Sequence, residues 1–144
     1  MKRFAIASVC ACMAMSGCIY IAHGLDPINP KYTIGDRNAR VTSLTPRLEW
    51  EAYSDVAGKE NLRYELEIVG EKGQRIFKND LRETRYTVEE PLVPDSDYRW
   101  RVRAVWTVNG KPDASNWNYR TQLLFTPVGG AWGGRSYSFT TPLK

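Results

Sequence analysis

The sequence is poor in the residue types from which catalytic and metal sites are usually built. It contains one histidine, His23, and three cysteines, at positions 10, 12 and 18. Because no thiol follows Cys18, the rest of the chain can form neither a disulfide framework nor a cysteine-based zinc site. No nucleophile is paired with a histidine base, since His23 lies close to the start of the chain. We therefore expect no metal, no cofactor and no enzymatic activity.

The acidic residues do not suggest a catalytic pair either. Glu89 and Glu90 are adjacent and would point to opposite faces of a strand, while Asp95 and Asp97 fall in a turn, where Asp is common. Glycosidases need two carboxylates at a defined separation across a cleft. A carbohydrate-active accessory protein or small hydrolase is the alternative to a non-catalytic protein, and it requires such a cleft.

The chain also lacks a strong charge of either sign. Its 20 Lys and Arg residues face 16 Asp and Glu residues, for a formal net charge of +4. Residues 1–17 hold two basic residues and no acidic one, so without them 18 basic residues face 16 acidic ones, a net charge of +2. A balance this close to zero argues against nucleic acid as a partner.

Long hydrophobic runs are scarce as well. The apolar stretch from Phe4 to Met15 is too short for an ordinary membrane-spanning helix, which needs about 20 residues. It follows the positive residues Lys2 and Arg3, as the apolar region of an export signal does. Residues 1–17 are therefore predicted to be a signal peptide.

The end of this segment, Met15-Ser16-Gly17-Cys18, resembles the bacterial lipobox, in which small residues precede an invariant cysteine. The resemblance implies a lipoprotein. In that family the cysteine sulfur receives a diacylglycerol, the peptide is cut before the cysteine, and the new amino terminus is usually acylated. The alternative is a plain secretory signal, with Cys18 an incidental thiol.

Lipidation of Cys18 would place the protein in the cell envelope, attached to a membrane. Ile19 rather than Asp follows the cysteine, which in lipoproteins of enteric-type bacteria implies sorting to the outer membrane. Residues 18–38 contain two Pro, two Gly and two Asn and show no long period, so they are predicted to be a tether. His23 is then a solvated tether residue rather than a ligand or a base.

Beyond residue 38 the pattern has period two. Apolar and charged residues alternate in Leu62–Ile68 and again in Tyr98–Trp106, and no segment shows sustained helical spacing. Short strands separated by turn signals predict an antiparallel sandwich or barrel of about seven strands. The predicted strands lie near residues 39–44, 46–53, 62–70, 74–79, 84–89 and 97–108, and the last ends near 139–142.

Several of these strands resemble those of a fibronectin type III domain. Leu92 and Tyr98 have the spacing of that family's tyrosine corner, and Trp50 corresponds to its core tryptophan. The resemblance covers residues 39–142 and implies an immunoglobulin-like antiparallel β-sandwich. The stretches that carry it are TPRLEW (45–50), YELEI (64–68), TRYTV (84–88), PLVPDSDYRWRVRAV (91–105) and SFTTP (138–142).

The chain departs from that family between the strands that the family names F and G. Here an extended F–G region, residues 107–135, replaces a short loop. It opens with a tight-turn signal, Asn109-Gly110. Either 119–126 or 135–141 could be strand G, and the sequence leaves both possibilities open.

The extended region contains VGGAWGGR at 128–135, predicted to be a loop, in which four glycines flank Trp132. Glycines permit a tight backbone path and cannot themselves cover an indole ring. Trp132 could therefore be a stacking platform for a ligand or a finger that touches a membrane. It could equally fold back and fasten its own loop to the sandwich.

Three arginines, Arg99, Arg101 and Arg103, alternate along the strand near 97–108 and share its outward face. They could form a strip that binds anions. In the structural alternative they stack on Trp117, as strand F arginines stack on tryptophan in cytokine-receptor fibronectin domains.

Together these observations predict an exported lipoprotein that carries a non-catalytic binding or assembly module. Its partner would be a protein or an envelope glycan, contacted through residues 107–135, with Trp117 and Trp132 foremost. A structural spacer subunit of a larger envelope complex is a further alternative.

Overall fold

The computed structural model describes residues 18–31, 39–126 and 129–143; for residues 18–22, 120–126 and 129–135 it gives the course of the backbone only. The predicted signal peptide, residues 1–17, lies outside this part. The described residues contain no helix, and hence none that is long and apolar enough to cross a membrane. Their strands are β1 (Cys18–His23), β2 (Pro27–Asn29), β3 (Ala39–Arg40), β4 (Arg47–Trp50), β5 (Glu60–Gly70), β6 (Arg75–Leu81), β7 (Arg85–Thr87), β8 (Asp97–Val108), β9 (Lys111–Ala114), β10 (Tyr119–Thr126), β11 (Gly129–Arg135) and β12 (Tyr137–Thr140).

The strands form three open sheets. The largest has the order β3-β12-β8-β5-β6, with β9 paired to the far end of β8. A second sheet has the order β2-β4-β7 and a third the order β1-β10-β11. Every pairing is antiparallel except that of β3 with β12. The all-β prediction is confirmed, and the two alternating stretches of sequence lie within β5 and β8.

The core lies between the first two sheets. Alternate residues of β5 and β8 are buried, which is what period-two patterning requires when one face of a sheet is covered. From the second sheet, β4 contributes Leu48 and Trp50, both 0% exposed. The Trp50 ring meets the Tyr64 ring of β5 edge to face, with 5.7 Å between centroids. Two sheets that share one core in this way have the arrangement of a β-sandwich.

The turn that leads into β8 is fastened by Tyr98. Its phenol oxygen accepts a hydrogen bond from the Val93 backbone N–H at 3.0 Å, and Leu92 is buried beside it. This is the contact that the Leu92 and Tyr98 spacing predicts. It fixes where β8 begins and hence which of its residues face outward.

Close packing against Tyr98 requires glycine at position 70. A Cβ there would lie 2.8 Å from Cε1 of Tyr98 and 2.6 Å from Oε1 of Gln74. We expect Gly70→Ala to lower the free energy of unfolding by about 1 to 3 kcal/mol, because the ring must move out of its packed position. Urea unfolding measures this. In a Tyr98→Leu background, where the ring edge is gone, the same change should cost much less, and an equal cost in both backgrounds would contradict the explanation.

The structure shows which of the two candidate segments pairs with the long strand β8. β12 pairs with β8, with Tyr137 opposite Trp100, so the alternative at 135–141 is correct. Residues 119–126 form β10, which pairs with β1 and β11. The predicted turn after β8 is also confirmed, since Asn109 and Gly110 both have positive φ, as this type of hairpin turn demands.

The glycine-rich stretch is not a loop. Gly129–Arg135 forms β11, in register with β10. Backbone pairing needs no side chains, so glycines can complete a ladder that the neighbouring strand organises. Because glycine has low β-propensity, the sequence alone gave no strand signal there.

Candidate functional site

The third sheet, made of β1, β10 and β11, sets this chain apart from a plain sandwich, and we call it the side sheet. β10 lies in the middle and pairs with β1 on one side and β11 on the other. In its register Cys18 lies opposite Leu124 and His23 opposite Tyr119. The segment predicted to be a tether therefore begins as a strand held by the inserted hairpin.

The side sheet joins the sandwich at Asn118, which is 1% exposed. The Asn118 side chain donates from Nδ2 to the Leu25 carbonyl at 2.8 Å, and its Oδ1 accepts from the Val102 N–H at 2.7 Å. The Asn118 N–H in turn donates to the Val102 carbonyl at 3.0 Å. The buried side chain of Asn118 thus connects the residue Leu25, just after β1, and the start of the hairpin to β8.

Gly24 allows the chain to pass this close to the amide. It has a φ of +80°, and a Cβ there would lie 2.9 Å from the Cα of Asn118. Any L-residue at position 24 would therefore be strained in its backbone and would also collide with the junction.

His23, at the last position of β1, is half-buried rather than a solvated tether residue. Its ring stacks on Tyr119, with 4.6 Å between centroids and 15° between planes. The stack covers the end of the side sheet where it meets the junction.

Trp117 lies against two of the three candidate arginines. The guanidinium carbons of Arg101 and Arg103 are 4.5 Å and 4.6 Å from its ring centroid. These two arginines therefore make the stacking contact that the structural alternative describes. Such stacks are each worth about 0.5 to 1 kcal/mol at exposed sites.

Carboxylates on β5 engage the same arginines. Arg103 pairs with Glu65 at 2.7 Å, and Arg101 pairs with Glu67. Glu67 is 5% exposed and also forms an ion pair with Arg75, so two cations compensate its buried negative charge. Arg101 and Arg103 thus have both a ring and a carboxylate partner within the protein.

Arg99 differs from its two neighbours on β8. Its side chain has no ion pair, hydrogen bond or aromatic contact with the described residues. It lines an open hollow with Val69 and Ser136. Of the three arginines predicted to bind anions, Arg99 is the one that the described residues leave available for an external group.

A second aromatic cluster lies where β8 meets the loop before β5. The Tyr53 and Trp106 rings stack at 4.9 Å, and the Lys59 ammonium lies 5.1 Å from the Trp106 centroid. Asp55 accepts a hydrogen bond from Lys59 at 2.8 Å, and this bond raises the pKa of Lys59 above its ordinary value of 10.5. Lys59 is therefore a charged structural contact and not a base.

Two carboxylates border the hollow beside Trp106, namely Glu65 and Asp113. Glu65 is held by Arg103, and Asp113 accepts from the Ala114 N–H at 2.8 Å. Both carboxylates are thus engaged within the protein. Across the described part of the chain no three His, Cys, Asp or Glu residues come together as a metal site would require.

The second candidate tryptophan, Trp132, lies in β11 opposite Leu123. Whether its ring is exposed or folds back falls outside what the structure describes. Trp132 and Cys18 are far apart in the sequence. The structure brings them to neighbouring positions, because Leu123 also pairs with Ile19, the residue after Cys18.

Neither strand β1 nor the role of Asn118 is predicted from the sequence. Ile-Tyr-Ile within Cys18–His23 is a strand signal that the prolines further along the tether outweighed. Asn118 had no signal at all, since a buried amide is recognisable only from the groups brought to it.

No protein-family model, curated protein or solved structure matches the chain. A function must therefore be argued from the sandwich, the junction and the side sheet.

Proposed function

We propose that this protein is an exported lipoprotein, anchored through Cys18 at the outer membrane. Its sandwich is a fibronectin type III-like domain that binds a protein or envelope-glycan partner without catalysing a reaction. Contact is made through residues 107–135, the region in which this chain departs from a plain sandwich.

The fibronectin-like assignment is supported by strand order and by the corner. The sheets β2-β4-β7 and β12-β8-β5-β6 have the order of the A-B-E and G-F-C-C′ sheets of that family. The Tyr98 phenol bound to the turn before β8 and the fully buried Trp50 occupy the places that the resemblance assigns to them.

One observation carries the proposed binding role: the hairpin β10–β11 leaves the edge of the sandwich and returns beside its point of departure. Asn118 is hydrogen-bonded to Val102 of β8, and Tyr137 pairs with Trp100. These positions on β8 are two residues apart, about 7 Å along a strand. A sandwich edge can close over so short a gap without the hairpin, and additions of this kind commonly carry function.

This geometry gives a direct test. We expect replacement of residues 120–135 by a three-residue Gly-Ser-Gly linker, with Cys18 kept, to leave the sandwich folded and the lipid in place. Crosslinks formed in intact cells and identified by mass spectrometry should disappear. Urea unfolding followed by tryptophan fluorescence checks that the core remains.

The matched control places the same linker in the exposed turn at residues 71–73, between β5 and β6, and should keep the crosslinks. Unchanged crosslinks in the hairpin deletion would refute the proposed contact region. An unfolded deletion protein would show that the hairpin belongs to the core, which also contradicts the proposal.

A further inference from the structure

The residues of the side sheet change in character along its length. Each level from Cys18 to Ala22 holds one residue from β1, one from β10 and one from β11. From Cys18 to Ile21 and the residues paired with them, no level contains a charged residue. The first charges stand at the level of Ala22, where Arg120 and Arg135 face each other across the pairing of β10 with β11.

The uncharged end is also the end at which the chain begins after the predicted cleavage. Cys18 lies level with Leu124 and Ala131, and the next level holds Ile19, Leu123 and Trp132. Strands β10 and β11 extend past Cys18 by two more pairs, Phe125 with Gly130 and Thr126 with Gly129. At about 3.3 Å per residue, the hairpin extends roughly 7 Å beyond the cysteine.

A lipid on Cys18 would fix the depth of the Cys18 level relative to the bilayer. A diacylglycerol joined to the cysteine sulfur places its glycerol at the boundary between headgroups and acyl chains, so the Cys18 backbone lies above that boundary, in the headgroup layer. Since β1 is paired with β10 along its whole length, the hairpin cannot move away from the bilayer without unpairing from β1. The two pairs beyond Cys18 then reach the lower part of the headgroup layer, next to the acyl chains.

We propose that the distal end of the side sheet, residues 18–20, 122–126 and 129–133, is a membrane-contact site seated in the phospholipid headgroup layer beside the Cys18 lipid. The proposal rests on the lipidation of Cys18 put forward above. Its ligand is the bilayer interface itself, and Trp132 sits at a level suited to interfacial aromatic anchoring.

Physical limits on depth agree with this placement. In the described residues the side sheet is open along the outer edges of β1 and β11, so its backbone polar groups need water or headgroups and would be costly in hydrocarbon. The level of Arg120 and Arg135 stands four residues from the Cys18 level, roughly 13 Å away along the strands, so the charged residues of the sheet are at the end far from the acyl chains.

The test uses the lipidated mature protein, reconstituted in vesicles of phosphatidylethanolamine and phosphatidylglycerol that carry a nitroxide quencher at headgroup depth. Tryptophan fluorescence is compared in the unsubstituted protein and in Trp132→Phe and Trp117→Phe. Trp117 is the matched control, because it lies at the base of the side sheet against Arg101 and Arg103.

We expect clear quenching in the unsubstituted protein and in Trp117→Phe, and at least about a twofold smaller quenched fraction in Trp132→Phe. No quenching in the unsubstituted protein, or equal quenching in all three, would overturn the membrane contact while the intact mass still shows the lipid. An intact mass without lipid on Cys18 would instead overturn the lipoprotein assignment, and the membrane contact with it.

Discussion

Asn118→Ala is expected to lower the free energy of unfolding by about 2 to 4 kcal/mol, because it leaves two buried backbone groups without hydrogen-bond partners. The Val102 N–H loses the Asn118 Oδ1, and the Leu25 carbonyl loses the Asn118 Nδ2. Water cannot easily replace the amide at a position that is 1% exposed. The substitution also removes the side-chain bridge between Leu25, which follows β1, and Val102 of β8.

Urea unfolding of the purified protein measures this loss, and Asn116→Ala is the matched control. Asn116 is the same residue type two positions earlier and its side chain is exposed, so its replacement should change stability by less than about 0.5 kcal/mol. Hydrogen exchange adds a local measurement: the amides of β1 should exchange faster in Asn118→Ala. Equal stability of the two variants would show that the junction does not depend on the buried amide.

Cys18→Ala is expected to have the largest effect on location. It should abolish incorporation of labelled fatty acid and reduce the protein in the outer-membrane fraction by at least about a hundredfold. The reason is that each acyl chain contributes roughly 10 kcal/mol of membrane affinity, at about 0.8 kcal/mol per buried CH₂. Fractionation of cells and intact mass measurement would check both statements.

Cys12→Ala provides the comparison, because it removes a cysteine that the predicted cleavage discards. That variant should be lipidated and localised like the unsubstituted protein. Fatty acid on the Cys18→Ala protein, or loss of lipid from Cys12→Ala, would show that the lipobox resemblance points to the wrong residue.

The sequence predicts the sandwich well because its strands are patterned locally. A residue at every second position of β5 and β8 is apolar, and this pattern does not depend on which strand lies next to it. The Leu92 and Tyr98 spacing likewise predicts a contact within a few residues. The sequence could also predict the stacking of Arg101 and Arg103 on Trp117, because side chains at alternate positions of one strand share a face.

The side sheet could not be predicted because its pairing partners are distant in sequence. β1 is short, and its partner strand comes near the other end of the chain. β11 is mostly glycine, so its place in a sheet depends on β10 and not on its own residues. Asn118 is informative only through Leu25 and Val102, which the fold brings to it. The role of Cys18 remains a prediction.

The pairing of β1 with β10 has a consequence for the order of events during the proposed export. If the protein is exported, Cys18–His23 would leave the translocation channel before Tyr119–Thr126, because it precedes that strand in the sequence. Until the later strand arrives, the cysteine has no neighbour, and an acyl-transferring enzyme could reach it freely. We expect lipidation of Cys18 to precede the pairing of β1 with β10. The lipidated terminus would then hold β1 at the membrane while the hairpin pairs with it.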